Sequence, residues 1–439
     1  MMYIYLFIAL ILVLLLGLVV VDFMDKKRGL ATLERLALGF LLGVGLLTLI
    51  LFWSSFVYIP YRVYIVGAII AILFIFRRPK LQVNYRDLYN KKQLLWVLIF
   101  LVILIKLTYS FVETASKPEY TWDACVHWTY PGNIIYQLDQ DKYSGIPNIL
   151  NKFPGHIAHY PKQLPYMHYW LFSWMGEVND QWSNIYLPIS LVCFLVLFYF
   201  NLKRGRGSLM AIFFTWVLLS APMFLYHTTF GYADFSIGIY FSTGIIFFYR
   251  WVCEKDELYF WIFAIFIALT SWIKFEGKPM IVLGLLLLLS YLWLNKKPIK
   301  NQLVRVGQYL LCYGLIGLPW QLLLHFNSVP SDERFRLHLN FVGNIHADLY
   351  DKLFIDGSWG ATWFLAFFVM ANFYKQFFKE ENKYLLFAIF LFYFAIVSVY
   401  LVTDSYYNFG GAAFNRTLLI IYPVVIFTLG RICHFDLTK

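Results

Sequence analysis

The sequence predicts an all-α, polytopic integral membrane protein with about thirteen transmembrane helices. Three observations carry that expectation. Only 14% of the 439 residues are charged, against roughly 25% in a soluble domain, so the chain lacks the polar surface that water requires. Hydrophobic residues make up 61% of it, and the mean hydropathy is +0.64. Apolar runs of the length that crosses a hydrocarbon core, about 17–25 residues, recur from one end to the other.

These runs place helices at 2–23, 36–58, 63–76 and 94–111. After a long polar and aromatic interval they continue at 185–202, 208–226, 232–249, 258–273, 279–294, 306–323, 359–374, 384–402 and 417–430. The third, eleventh and thirteenth are short for a span. The first run is followed by its basic cluster, Lys26, Lys27 and Arg28, and shows no A-x-A site. A cleaved signal peptide has its basic residues before the apolar stretch, so this helix is expected to be retained.

Alternating the loops across the bilayer separates the charge. The side of the first loop holds 24 of the 36 Lys and Arg residues, although its loops are the shorter ones. Such a bias marks the cytoplasmic face, which predicts an N-terminus outside and a C-terminus in the cytoplasm. The net charge of +11 is thereby explained without a nucleic-acid partner. The five cysteines are scattered with no disulfide framework and no metal-type spacing. No phosphate-binding glycine loop, G-x-S-x-G or H-E-x-x-H is present, which argues against an ATP-driven pump or a membrane metalloprotease.

The unusual polar residues then collect on the predicted outer face. The largest external loop, 112–184, contains Glu113, Asp123, His127, His159 and His168 among many aromatic residues. The next external turn, "HTTFGYADF", carries His227 and Asp234, and "SWIKFEGKPM" carries Lys274, Glu276 and Lys278. A later loop contains Arg334 and Arg336, and the last, "TDSYYNFGGAAFNR", ends at Arg416. Ionisable groups at a bilayer are costly and tend to mark pathways or reactions. Simpler roles exist for each: Lys and Arg snorkel to headgroups, Asp234 suits a helix N-terminus, and histidines and tyrosines pack in the aromatic belt.

The order of these motifs resembles the bacterial GT-C superfamily, membrane glycosyltransferases that use polyprenyl-phosphate-linked sugars. The resemblance runs from about residue 94 to 323, with an echo at Arg416. It rests on "TWDACVHW" with Asp123 in the catalytic position, and on "HYPKQLP" with Tyr160, Pro161 and Pro165. "GYAD" from Gly231 to Asp234, the turn with Lys274, Glu276 and Gly277, and "NRTLL" from Asn415 complete it. The chain departs from the family pattern in two respects: three helices precede the module, and Ala124 rather than a second acid follows Asp123.

The resemblance implies three regions: 1–93, N-terminal helices of unassigned role; 94–323, a catalytic membrane module with external loop 112–184; and 324–439, a further external loop and the last helices. It implies an inverting transfer of sugar from polyprenyl phosphate to a hydroxyl of an envelope glycan, glycolipid or protein, outside a bacterial cell or inner membrane. Asp123 would act as general base. Asp234, Glu276, His127 and His159 would orient the acceptor or a metal, and Lys274, Arg416, Arg334 and Arg336 would face the donor phosphate. The resemblance fixes no cofactor beyond the lipid-linked sugar donor; a divalent metal is conceivable but not favoured. Two other readings stand beside this one. A lipid-linked polysaccharide polymerase or ligase would carry a late, Arg-rich external loop, whereas here the largest loop is early and has no Arg. A transporter or flippase would show repeats and ionisable residues at mid-membrane depth, whereas Lys106 is the one basic residue inside a predicted span.

Overall fold

A computed structural model describes residues 1–77, 79, 94–140, 150, 152–153, 155–329, 336–379, 381–404, 406 and 410–433, and the architecture among them is helical. Helices α1 (Met2–Met24), α3 (Arg62–Arg77) and α4 (Leu94–Ser116) cover the first, third and fourth apolar runs, and α2 (Thr32–Ser54) lies four residues earlier than the second. In the long interval, α5 (Tyr130–Gln140) and α6 (Gln163–Met175) are short and well packed. The fifth run falls in α7 (Tyr186–Leu218), which leaves helical dihedrals at Gly207 (φ 78°, ψ 170°) inside the basic "KRGRG" stretch. The sixth run continues beyond Gly207, breaks at 219–221, and resumes as the turn Pro222–Tyr226.

Next come α8 (Ala233–Glu254), α9 (Glu257–Ile273) and α10 (Gly277–Leu294). The 306–323 run is two helices, α11 (Ile299–Ile316) and α12 (Leu318–Phe326), bent by 51° where Pro319 removes a backbone donor. A short α13 (Val342–Tyr350) precedes α14 (Thr362–Phe377), α15 (Asn382–Val402) and α16 (Phe414–Ile432). Among the described residues, eight helices are long and apolar enough to cross a membrane, nine if α11 and α12 form one bent span. That makes the chain a polytopic membrane protein.

Burial separates inner helices from outer ones. The apolar stretch of α8 is wholly enclosed, against only 17% of that of α4. Leu98, Leu101 and Ile105 of α4 face outward, and a helix this apolar on its exposed face suits hydrocarbon rather than water. Helix α8 packs against α9 and α16 and runs through the centre, so what stands at its two ends is held by several neighbours.

Helices α1 and α2 approach through small residues. Gly39 and Gly43, one turn apart on α2, meet Gly17, Leu18 and Val13 of α1 so closely that a Cβ on Gly43 would overlap the Val13 carbonyl oxygen. This is the small-xxx-small device by which membrane helices gain contact. Gly43→Val is therefore expected to force α1 from α2 at a cost of about 1–3 kcal/mol, read as a lower melting temperature in detergent.

At the C-terminal end of α8 lies a buried ionic knot. Glu34, fully enclosed, accepts from Arg250 at 3.0 Å and from Arg204, and also from the Ala31 N–H at 2.9 Å at the start of α2. Arg250 reaches Glu254 at 2.9 Å and donates to the Tyr259 hydroxyl. Removing one member of such a knot leaves a buried charge without its partner. Glu34→Ala should cost about 3–5 kcal/mol, and thermal melts followed by intrinsic fluorescence would report it.

Candidate active site

Opposite this knot, about 24 Å away along α8 by helical rise, three other chain segments converge on that of Asp234. This carboxylate sits in the first turn of α8 and is buried. Isolated, it would be strongly disfavoured there; two cations and the helix N-terminus offset that cost. Lys274 Nζ lies 2.9 Å from Oδ1, while Arg416 Nε and Nη2 lie 3.1 and 2.7 Å from Oδ2. The same Arg416 Nη2 donates to Asp123 Oδ2, so one guanidinium joins the two acids. Its Cζ lies over the Tyr232 ring, 4.6 Å from the centroid, a favourable cation–π position. Lys274 is shared with Glu276 Oε1 at 2.8 Å. Burial works against the charged form of Lys274, but Asp234 and Glu276 outweigh it and hold its pKa above the usual lysine value.

Exposure splits the cluster into two layers. The side chains of Asp234 and Lys274 are 6% and 8% accessible, whereas Asp123, Arg416 and Glu276 are 22%, 27% and 44% accessible. The inner pair can fix geometry; the outer three can meet a substrate.

Local structure explains how these side chains are delivered. Asp123 stands at the head of a π-helical turn, Ala124–Thr129, that leads into α5; such turns are rare and often found at functional sites. Thr121 Oγ1 donates to the Phe230 carbonyl at 2.7 Å, tying this segment to the turn before α8. Gly231 in that turn has φ 69°, and a Cβ there would collide with the Glu119 carboxylate and lie 3.0 Å from the Ala124 Cβ. The first residue of "GYAD" is thus glycine for both conformation and close approach. Lys274 leaves α9 in extended geometry (φ −151°, ψ 163°), which swings it toward Asp234. Arg416 is set by its neighbour Asn415, which accepts from Trp359 Nε1 at 3.0 Å and donates to Asp356 Oδ2 at 2.7 Å.

Asp123, Asp234, Lys274, Glu276 and Arg416, expected from sequence to share one face, are thus brought into one cluster. His127 and His159 join it indirectly: both are buried and pack at a tilt against Tyr160, at 4.8 and 4.4 Å between centroids. Tyr160 itself is pushed up to about 12, by burial first and then by Glu276, with Asp123 and Asp234 also within electrostatic reach. Arg336 is exposed and lies beside the end of α15, its N–H donating to the Val402 carbonyl at 3.0 Å; no contact places its side chain in the cluster. Arg334 lies outside the described residues. Among the described residues no group of three or more His, Cys, Asp or Glu stands ready to hold a metal ion.

Residues not singled out from sequence also matter. Tyr232 supplies the ring beneath Arg416, and Glu119 anchors a buried polar chain behind Asp123. Glu119 Oε1 accepts from Asn184 Nδ2 at 2.6 Å, Asn184 Oδ1 pairs with His168 Nε2 at 3.1 Å, and His168 Nδ1 pairs with Thr129 at 3.3 Å. No periodicity or motif marks Glu119; only the fold encloses it. Burial pushes its carboxyl from 4.5 up to about 7. The folded protein therefore binds this proton more tightly than the unfolded chain, and stability should fall as pH rises between about 4.5 and 7. Glu119→Gln should flatten that slope in melting temperatures taken from pH 4.5 to 8.

In comparison with known proteins, no protein-family model, no curated protein and no solved structure matches the chain.

Proposed function

We propose that this protein is a membrane glycosyltransferase of the GT-C kind, moving a sugar from polyprenyl phosphate to a hydroxyl of an envelope acceptor at the outer membrane face. The observation that supports this best is the convergence of Asp123, Asp234, Lys274, Glu276 and Arg416 from four distant segments, with only Asp123, Arg416 and Glu276 accessible. The order of motifs from "TWDACVHW" to "NRTLL" supports it independently, as does the excess of Lys and Arg on the opposite side of the predicted thirteen-span topology.

In this reading the acceptor oxygen attacks the anomeric carbon as the bond to phosphate breaks. The acceptor proton passes to Asp123, and the lipid phosphate leaves with the bonding electron pair, inverting the centre. Arg416 faces the phosphate, where a preorganised cation favours the transition state over the ground state. Because Arg416 Nη2 also holds Asp123, an incoming phosphate competes for that donor and loosens the base as the donor seats. Asp234 fixes both cations, and Lys274 adds positive potential from below. The charges stand at the first turns of α8 and α16 rather than mid-helix, which favours transfer over transport.

The test is sugar transfer by purified protein with a panel of polyprenyl-phosphate sugars and an extracted envelope acceptor. Turnover with one of these donors supports the proposal. Elongation of a preassembled lipid-linked glycan instead would point to a polymerase, and movement of lipid across the bilayer without transfer to a flippase.

A further inference from the structure

His227 ends the turn Pro222–Tyr226 that leads into α8, and its ring is buried, 3% accessible. It packs against Phe230 and Tyr232, with centroids 5.5 and 5.6 Å away. Its Nδ1 lies 2.8 Å from the Met223 carbonyl oxygen. A carbonyl can only accept, so Nδ1 carries the proton and Nε2 presents a bare lone pair. Nothing among the described residues donates to that lone pair. Buried polar atoms are almost always paired, so an acceptor held in one tautomer and left open marks a place for a donor from outside the chain.

Its surroundings say which kind of donor. Tyr232, against which His227 packs, is the same ring that Arg416 covers at 4.6 Å, and Asp234, Arg416 and Lys274 act on the imidazole electrostatically. Those three satisfy one another. His227 is therefore a neutral acceptor next to a charge-paired cluster, joined to it through the Tyr232 ring. Burial pushes its pKa down to about 4, in keeping with an imidazole that offers no proton to an anion at neutral pH. A phosphate has nothing to gain from Nε2; a hydroxyl has.

We infer that His227 Nε2 accepts a hydrogen bond from a sugar hydroxyl, making it a binding residue of a polyol subsite beside Arg416. This rests on the reading above, in which a sugar enters the cluster. The hydroxyl belongs either to the sugar on the lipid donor or to the acceptor glycan, and the experiment separates the two.

The full-length protein, labelled with ¹⁵N-histidine in nanodiscs, gives the Nε2 resonance directly, assigned by its loss in His227→Gln. Three probes are added in turn: a polyprenyl-phosphate hexose, sugar-free polyprenyl phosphate, and soluble envelope oligosaccharide. An upfield shift with the lipid-linked hexose but not with the sugar-free lipid supports a donor-sugar contact; a shift with the oligosaccharide alone supports an acceptor contact. No shift with any probe, or an equal shift with sugar-free lipid, overturns the inference and leaves His227 a packing residue bonded to water. The readout does not need turnover. A response without transfer would retain the subsite while the transferase reading fails, and transfer without a response would do the reverse. Where transfer is measurable, His227→Phe keeps the ring packed on Phe230 and Tyr232 but removes the acceptor. Loss of one neutral hydrogen bond should raise KM for the contacted substrate about 2–10-fold, with His227→Gln recovering part through its amide oxygen. A structural role alone would lower the melting temperature without this substrate selectivity.

Discussion

Arg416→Ala is expected to remove sugar transfer and to destabilise the protein in the same step. Among the described residues Arg416 is the one side chain that ion-pairs with both Asp123 and Asp234, and its loss leaves Asp123 there without that ion pair and Asp234 with Lys274. Breaking a buried pair costs about 3–5 kcal/mol. The side chain here is 27% accessible, so the lower end of that range applies. Transfer should fall further than stability, because in the proposed mechanism Arg416 is a cation facing a developing phosphate charge, which contributes about 10²–10³ in rate. Arg416→Lys separates the two effects. It keeps one positive charge near Asp234 but lacks the planar fork that holds both acids and sits over the Tyr232 ring. It should recover much of the melting temperature and little of the turnover. Normal turnover in Arg416→Ala, measured in protein shown to be folded by size-exclusion chromatography, would remove this residue from the chemistry.

The coarse architecture was legible because membrane helices announce themselves through composition. The runs at 2–23, 94–111, 279–294 and 384–402 lie within α1, α4, α10 and α15 to within a few residues of the ends. What periodicity could not see were the interruptions. Pro319 divides the tenth run into α11 and α12, and Gly207 lets the chain leave and re-enter helix within five residues of basic sequence. Within the site, the charged residues could be proposed because charge is conspicuous in an apolar chain. Their pairing could not: that Arg416 bridges acids almost two hundred and three hundred positions away depends on how α16 packs on α8. Glu119 and Tyr232 escaped notice, and His227 was noticed without a role, for a related reason. A lone acid, histidine or tyrosine in an aromatic loop has a bland reading, and only enclosure turns Glu119 into a carboxyl with a raised pKa or His227 into an open acceptor.

Asp123→Asn carries the second large expectation, and its value lies in how little else it disturbs. Asparagine keeps the size of the side chain, and its amide oxygen still accepts from Arg416 Nη2, so the bridge to Asp234 is retained in geometry. Asp123 is also partly exposed, so the ion pair it weakens is screened and worth about 1 kcal/mol or less, while Arg416 keeps its bond to Asp234. What asparagine lacks is the ability to take a proton. If the acceptor hydroxyl is deprotonated as it attacks, transfer should fall about 10²–10⁴-fold with little change in melting temperature and little change in donor binding. Asp123→Glu retains the basic group but displaces it by one methylene, and misplacement on the order of 1 Å can itself cost about 10²-fold. Glu113→Gln is the matched control. Glu113 pairs with Lys117 on the exposed end of α4, a type of surface pair worth about 1 kcal/mol or less, and touches none of the five clustered residues. A protein in which Glu113→Gln and Asp123→Asn lose transfer equally would point to the charge of the whole loop rather than to one base. Full transfer in Asp123→Asn would reduce Asp123 to a structural partner of Arg416 and require the acceptor proton to leave by another route.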